Sequence, residues 1–274
     1  DDTLITVNNT NALTGYKSAL KYELSQTAMI YSSISRGYKS GGINQNPYLG
    51  SSNRSYEPEF NLNYEAGYKS VTCSNQLQFT IFYMSRQNQQ VNISSQQEES
   101  NPNSFYFYTA NAAAGYNYGA EFDQSAKIGN KLSASLNFGY LSTHVDPYEF
   151  KTDSITTVTL GNREQAHAPL YTFAVKLNYT LPFDLTAGVG ISGKDKFYYS
   201  DSHDQQSKAY QLMDVNLEYT KENWSVSAWG KNVLDIRYAI RGFYFGLEPP
   251  NYGDKLYLHW GDPAQYGLSL KYHF

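Results

Sequence analysis

At 274 residues the chain can hold one large domain or two smaller ones, and its net charge of −4 excludes an electrostatic nucleic-acid binder, which needs clustered Lys and Arg. Its one cysteine, Cys73, excludes an intrachain disulfide or a cysteine-built metal centre. Charged residues make up 17% and aromatics 16%, with 27 Tyr against 14 Phe and 3 Trp, and mean hydropathy is −0.57; a Tyr-rich, polar-uncharged chain poor in helix formers is what a β-barrel with a wet lumen needs.

From the N-terminus, Asp1-Asp2-Thr3 begins with no leader pattern, as a mature chain or a fragment does. Alternation of apolar and polar residues puts successive side chains on opposite faces of a strand, and it predicts eleven strands. The first three are 16–24 (Tyr16, Leu20, Tyr22, Leu24), 28–34 (Ala28, Ile30, Ile34) and 62–68 (Leu62, Tyr64, Ala66, Tyr68). Next come 77–83 (Leu77, Phe79, Ile81, Tyr83), 116–122 (Tyr116, Tyr118, Ala120, Phe122) and 132–140 (Leu132, Ala134, Leu136, Phe138, Tyr140). Then follow 171–179 (Tyr171, Phe173, Val175, Leu177, Tyr179), 185–191 (Leu185, Ala187, Val189, Ile191) and 213–219 (Met213, Val215, Leu217, Tyr219). The last two are 224–230 (Trp224, Val226, Ala228) and 266–274, where Tyr266, Leu268, Leu270, Tyr272 and Phe274 share one face.

No charge falls on the apolar face of these spans, and only Ser18, Ser32 and Gly230 depart from its apolar character. The opposite face carries Lys17, Lys21, Glu23, Glu65, Glu121, Lys176, Asp214, Glu218 and Lys271. Charge is the most costly substituent against lipid, so this asymmetry predicts an all-β, transmembrane antiparallel β-barrel. No apolar run approaches the roughly 18 residues of a membrane-spanning helix.

Connections support the same reading. Tight turns at 24–27, 73–76, 128–131, 181–183 and 221–223 alternate with long polar loops near 39–60, 92–107, 143–168, 195–209 and 237–264, the rhythm of periplasmic turns and extracellular loops. A terminal amphipathic strand ending in an aromatic residue is the habitual last strand of bacterial outer-membrane barrels, and Tyr266, Leu268, Leu270, Tyr272 and Phe274 form the expected assembly signal. Single-chain barrels have even strand counts, so eleven strands predict the C-terminal part of a larger barrel; the alternative is that Leu4-Ile5-Thr6-Val7 is the stub of one more strand.

Several stretches then resemble one family. Residues 35–44 (SRGYKSGGIN), 56–70 (YEPEFNLNYEAGYKS), 109–112 through 118–121 (TANA…YGAE), 229–238 (WGKNVLDIRY) and Gly261-Asp262-Pro263 are similar, in order, to motifs of the C-terminal barrel of TonB-dependent outer-membrane receptors. The family usually has Arg where this chain has Ala264, which touches only a local loop contact. The resemblance implies a 22-stranded barrel in the outer membrane of a Gram-negative bacterium, of which this chain is the C-terminal eleven or so strands. It also implies partners: outer-membrane lipid, and an N-terminal barrel half and plug carried by the same polypeptide or a separate chain. TonB would act through an N-terminal segment outside residues 1–274, and a small-molecule ligand would complete the set. A ferric siderophore is the commonest ligand class of the family; vitamin or carbohydrate uptake is the alternative, and a passive porin or a soluble surface-binding module are rivals from other classes.

Among chemistry-bearing residues, GVGISG at 188–193 matches a dinucleotide fingerprint but lies inside a strand rather than at a strand-to-helix turn, so glycines that leave room inside the barrel explain it better. Asp201-Ser202-His203-Asp204 reads as a solvated loop before it reads as a metal site. Neither catalytic residues nor a cofactor are expected. Flat aromatic faces and cations in the long loops are the ligand candidates, by stacking and by pairing with negative charge: Tyr106, Tyr108, Arg163, Tyr198, Tyr199, Arg241, Tyr244, Tyr252 and Trp260.

Overall fold

The computed structural model describes residues 6–96, 105–111, 114–151, 157–200, 203–245, 248–250, 253 and 255–273. Nineteen strands occur in chain order among the described residues. The first ten are β1 (Tyr16–Ser25), β2 (Ala28–Lys39), β3 (Gly42–Ile43), β4 (Ser55–Tyr56), β5 (Glu59–Val71), β6 (Asn75–Gln87), β7 (Gln90–Gln96), β8 (Phe105–Asn111), β9 (Gly115–Ile128) and β10 (Leu132–Val145). The rest are β11 (Tyr148–Lys151), β12 (Thr157–Leu160), β13 (Tyr171–Thr180), β14 (Leu185–Lys194), β15 (Tyr210–Lys221), β16 (Trp224–Lys231), β17 (Ala239–Phe245), β18 (Lys255–Trp260) and β19 (Gln265–Tyr272). The helical content among the described residues is one 3-10 turn, Ser51–Asn53.

Eleven of these strands form one continuous antiparallel meander in the order β1-β2-β5-β6-β9-β10-β13-β14-β15-β16-β19. They are the eleven expected from periodicity, and the tight turns fall where expected. Several run further than their apolar periodicity. β2 continues to Lys39, β9 to Ile128 and β10 to Val145, reaching 14 residues in the last two, enough to cross a bilayer obliquely. Several added outward positions are polar or charged, Gln124, Ser142 and His144 among them, and Arg36 sits 4.1 Å over the Phe60 ring and donates to the Thr14 carbonyl. Hydrogen-bonded pairing thus outlasts the apolar band. Thr6 and Val7 lie outside any strand, and Leu4 and Ile5 lie outside the described residues.

The molecule is built inside out. Among the described residues no second sheet stacks on the large one, and its apolar face is bare: Leu20 is 76% exposed, Leu268 81% and Leu270 65%. Register explains the order along that face. Tyr68, Phe79, Phe122, Phe138 and Phe173 follow one another across β5, β6, β9, β10 and β13. Nearer the long loops Tyr83, Tyr116 and Tyr118 stack at 6.2 Å spacings, and His144 joins Tyr116 at 5.2 Å. At the short-turn end Trp224 meets Tyr272 at 4.6 Å. Tyrosines and tryptophans gathered toward the strand ends are what a bilayer's interfaces select.

Small residues make room on the polar face. The Tyr31 ring lies across Gly67, where a Cβ would come within 2.5 Å of it, and its hydroxyl meets Thr80 Oγ1 at 3.0 Å. In the GVGISG stretch the expected open space exists at Gly190, whose added Cβ would meet nothing closer than 3.9 Å. Gly188 instead seats the side chains of Asn178 and Asn216, and Gly193, on the other face, abuts the Phe173 ring.

The long loops differ from the expectation of irregular loops. Four of the five fold back as two-stranded sheets, β3-β4, β7-β8, β11-β12 and β17-β18, and the fifth carries an isolated Tyr198–Gln206 bridge. The TANA…YGAE motif consequently spans two strands, the end of β8 and the start of β9; Ala112 lies outside the described residues.

Candidate ligand-binding surface

At the long-loop end the hairpins form two knots. In the first, side-chain amides stand in for backbone. Asn44 Nδ2 donates to the Thr109 carbonyl at 2.8 Å, while Thr109 N–H donates back to Asn44 Oδ1 at 2.9 Å. Asn111 does the same with Glu57, at 2.9 and 2.7 Å. An amide carries the donor and acceptor of a peptide group, so each Asn extends the hydrogen bonding of a hairpin to a remote loop. Beneath them Arg86 Nη2 lies 2.7 Å from Glu59 Oε1, with the two side chains only 20% and 13% exposed. Tyr108 is buried in this knot, and burial pushes its phenol pKa up.

The second knot joins 161–168, 195–209 and β17-β18. Its small core is Phe197, Tyr199 and Ala239, with Leu258 packed against it. The Tyr199 ring lies over Gly242, where any Cβ would clash at 2.7 Å, and burial raises its phenol pKa. Ser207 N–H donates to the Phe197 carbonyl at 2.8 Å and Phe197 N–H to Ser207 Oγ at 3.0 Å, closing the loop on itself. Arg163 ties the knot: Nη1 reaches Asp204 Oδ1 at 2.7 Å, Nη2 reaches the Ser200 carbonyl at 2.8 Å, and the guanidinium lies 4.5 Å from the Tyr198 ring centroid. The Tyr244 ring stacks on His203 at 3.7 Å and 10°.

The structure therefore brings Arg163, Tyr198, Tyr199 and Tyr244 into one cluster and puts Tyr108 in the other. Tyr108 and Tyr199 hold loops together, and the Arg163 guanidinium is committed to protein partners. Arg241 is exposed on β17, opposite His259. Trp260 carries Arg237 at 4.2 Å from its ring centroid. Tyr252, Phe274, Asp201, Ser202 and the side chain of Tyr106 lie outside the described residues.

Residues beyond the sequence-derived set complete the surface. Lys194, the last residue of β14 on its polar face, has its ammonium 4.4 Å from the Phe197 ring centroid and 5.5 Å from that of Tyr210, which packs on Tyr238 at 4.5 Å. The periodic span ends at Ile191, three residues short of it, so the alternation could have found Lys194 had it been carried to the strand's end. Asn232, inside the WGKNVLDIRY motif, is 4% exposed and donates to the Ile236 and Asp262 carbonyls at 3.0 Å each while accepting from Ile236 N–H at 3.0 Å. Asp235 accepts from Ala264 N–H at 2.9 Å. That motif is a structural clasp between β16 and the approach to β19.

A continuous antiparallel meander with a bare apolar face, tyrosines and tryptophans toward the strand ends and hairpin-filled loops on one side defines the class of outer-membrane β-barrel proteins. The comparisons agree. Residues 3–233 match the family model described as TonB dependent receptor-like, beta-barrel, and the chain belongs to that family. Its members are transporters and receptors of the outer membrane, not enzymes. Among solved structures, the ferric yersiniabactin uptake receptor FyuA of Yersinia pestis is similar with a TM-score of 0.74 at 17% identity, over 94% of this chain and 37% of that one. The siderophore receptor PiuA of Acinetobacter baumannii gives 0.71 at 17%, over 94% and 35%. The ferric-catecholate import receptor Fiu of E. coli K12, in its closed form, gives 0.70 at 16%, over 96% and 35%. This chain spans about a third of the length of these receptors, and at such identity the likeness concerns fold alone.

Proposed function

We propose that residues 1–274 are the C-terminal half of a 22-stranded outer-membrane barrel that imports a ferric siderophore under the action of TonB. The observation that carries the reading is the run of eleven paired strands whose outward side chains are uncharged through the apolar band, in a chain of this family. The strand count is half of 22, and the chain covers about a third of each similar receptor. The remaining strands, the plug and the TonB-contacting segment belong to the rest of the assembly. Ferric chelates are favoured because the similar structures named above are described as receptors for ferric yersiniabactin, a siderophore and ferric catecholates, and because the loops here are rich in aromatic faces and cations.

The test is uptake of a panel of radio-iron siderophores by cells that express the full-length receptor, compared with cells lacking it and with cells lacking TonB. TonB-dependent accumulation of at least one ferric chelate is the expected result. Uptake that persists without TonB would identify a passive channel. Import of a carbohydrate or vitamin but of no ferric chelate would replace the substrate class.

A further inference from the structure

Among the cations at the long-loop end, Arg86 has Glu59, Arg163 has Asp204 and Lys255 has Glu248, Arg36 and Arg54 donate to backbone carbonyls, and Lys231 and Arg237 each lie over a single tryptophan. Lys194 differs. It is partly buried, it sits on the lumen-facing side at the last position of β14, and among the described residues no carboxylate lies within ion-pair distance of it. The nearby Asp195 carboxylate accepts from Lys196 N–H at 2.8 Å.

Two aromatic faces attend the ammonium, and both are fixed. Phe197 is 3% exposed in the core of its loop, and Tyr210 is braced by Tyr238. Ring faces attract a cation, but they supply no hydrogen-bond acceptor in the plane where an ammonium points its three N–H groups. A partly desolvated ammonium with ring walls and unmet donors is matched by an anionic oxygen arriving from outside. The flat, rigid walls further favour a planar bearer of that oxygen, which can lie along a ring while its charge meets Nζ.

We infer that Lys194, walled by Phe197 and Tyr210, is an anion subsite for an aryl carboxylate or catecholate group of the imported ligand. The inference rests on the siderophore reading for the identity of the ligand, though not for the existence of the subsite. Lys194 supplies charge, the two rings supply orientation, and Tyr238 keeps Tyr210 in place.

The test uses the full-length receptor in detergent and 2,3-dihydroxybenzoate as the probe, with the neutral 2,3-dihydroxybenzamide beside it, titrated by saturation-transfer NMR. The wild type and K194R should bind the acid at least tenfold more tightly than K194M does, and all three should bind the amide alike. Heat-modifiable mobility checks assembly, and K194Q replaces K194M with the same expectation should the latter not assemble. Equal binding of the acid to wild type and K194M, or no binding to the wild type, overturns the subsite. A second arm separates the two readings by following radio-iron uptake from the ferric 2,3-dihydroxybenzoate complex. Uptake lost in K194M and kept in K194R supports both. Uptake unchanged in K194M overturns the subsite and leaves the siderophore reading standing. Probe binding that needs Lys194, with no ferric chelate imported by any cell, supports the subsite and removes the siderophore.

Discussion

Replacing Leu217 with arginine puts a cation where the apolar face of β15 meets hydrocarbon. The depth of the site follows from strand geometry. At about 3.4 Å per residue and a tilt of roughly 40°, each residue climbs about 2.6 Å, so Leu217, four residues before Lys221, lies about 10 Å above the periplasmic end of β15. The apolar band of such barrels is about 25 Å tall, which puts Leu217 within a few ångströms of its middle. Arginine there costs about 2–3 kcal/mol, toward the lower half of the midplane range because the long side chain can reach for the nearer interface. At about 1.4 kcal/mol per tenfold, that is roughly a 30- to 150-fold loss in the folding equilibrium. The assay is guanidinium unfolding of the full-length protein in phosphatidylcholine vesicles, followed by tryptophan emission. Asn216→Arg is the control: one residue away, its side chain lies on the polar face beside Gly188, and the midpoint should stay near that of the parent. Equal costs for both substitutions would mean that the two faces are assigned wrongly.

The other predictions test the clasp, the first knot, an alkaline transition and the assembly signal. Asn232→Ala removes three hydrogen bonds from a buried position and should destabilise by about 2–4 kcal/mol in the same unfolding assay; a change under about 0.5 kcal/mol would deny the clasp its role. Glu59→Gln leaves the Arg86 guanidinium partly buried and uncompensated, so amide exchange in β7 and β8 should accelerate while exchange in β15 does not, and equal rates in wild type and variant would dismiss the pair as ornament. Tyr199 is buried as a neutral phenol with its pKa raised, so its contribution is complete below the unfolded value of about 10 and is lost as pH rises through the higher folded value. An ultraviolet phenolate titration should show a delayed alkaline step absent from Tyr199→Phe, and two identical titrations would contradict this. Deletion of Phe274 should lower the amount of heat-modifiable barrel in the outer membrane, and unchanged amounts would remove that residue from the assembly signal.

The membrane-facing sheet was legible because hydrocarbon imposes a rule that sequence must obey at every second position. Leu132, Ala134, Leu136 and Phe138 are forced into alternation, and register then carries each such row across the sheet. The rule stops where lipid stops. Arg36 and His144 occupy outward positions of strands that continue into water, so periodicity ended these strands early. The loop hairpins gave no such signal, since a stretch like QVNISSQ is polar at most positions and nothing enforces a period of two. The site followed the same division. Aromatic and cationic loop residues stood out by composition, whereas their partners did not. Asp204, 41 residues from Arg163, is an ordinary loop aspartate until the fold brings the two together.

The tying of the loops bears on how a ligand would be met. Asn44 and Thr109 are 65 residues apart, and Glu57 and Asn111 are 54, yet each pair exchanges two hydrogen bonds like neighbours on adjacent strands. Exposed strand edges invite pairing with foreign strands, and covering them with the amides of other loops removes that hazard. The same bonds couple the hairpins: displacing β7-β8 means either breaking amide pairs that shelter backbone groups or carrying the 39–60 loop along. The first costs unmade hydrogen bonds at each Asn, the second only the looser contacts around the knot, so the loops should move as tied groups and not residue by residue. Lys194 lies at the foot of the other knot, on a strand that the sheet holds still. A charge anchored on a paired strand beneath the tied loops would give an incoming anion a fixed point.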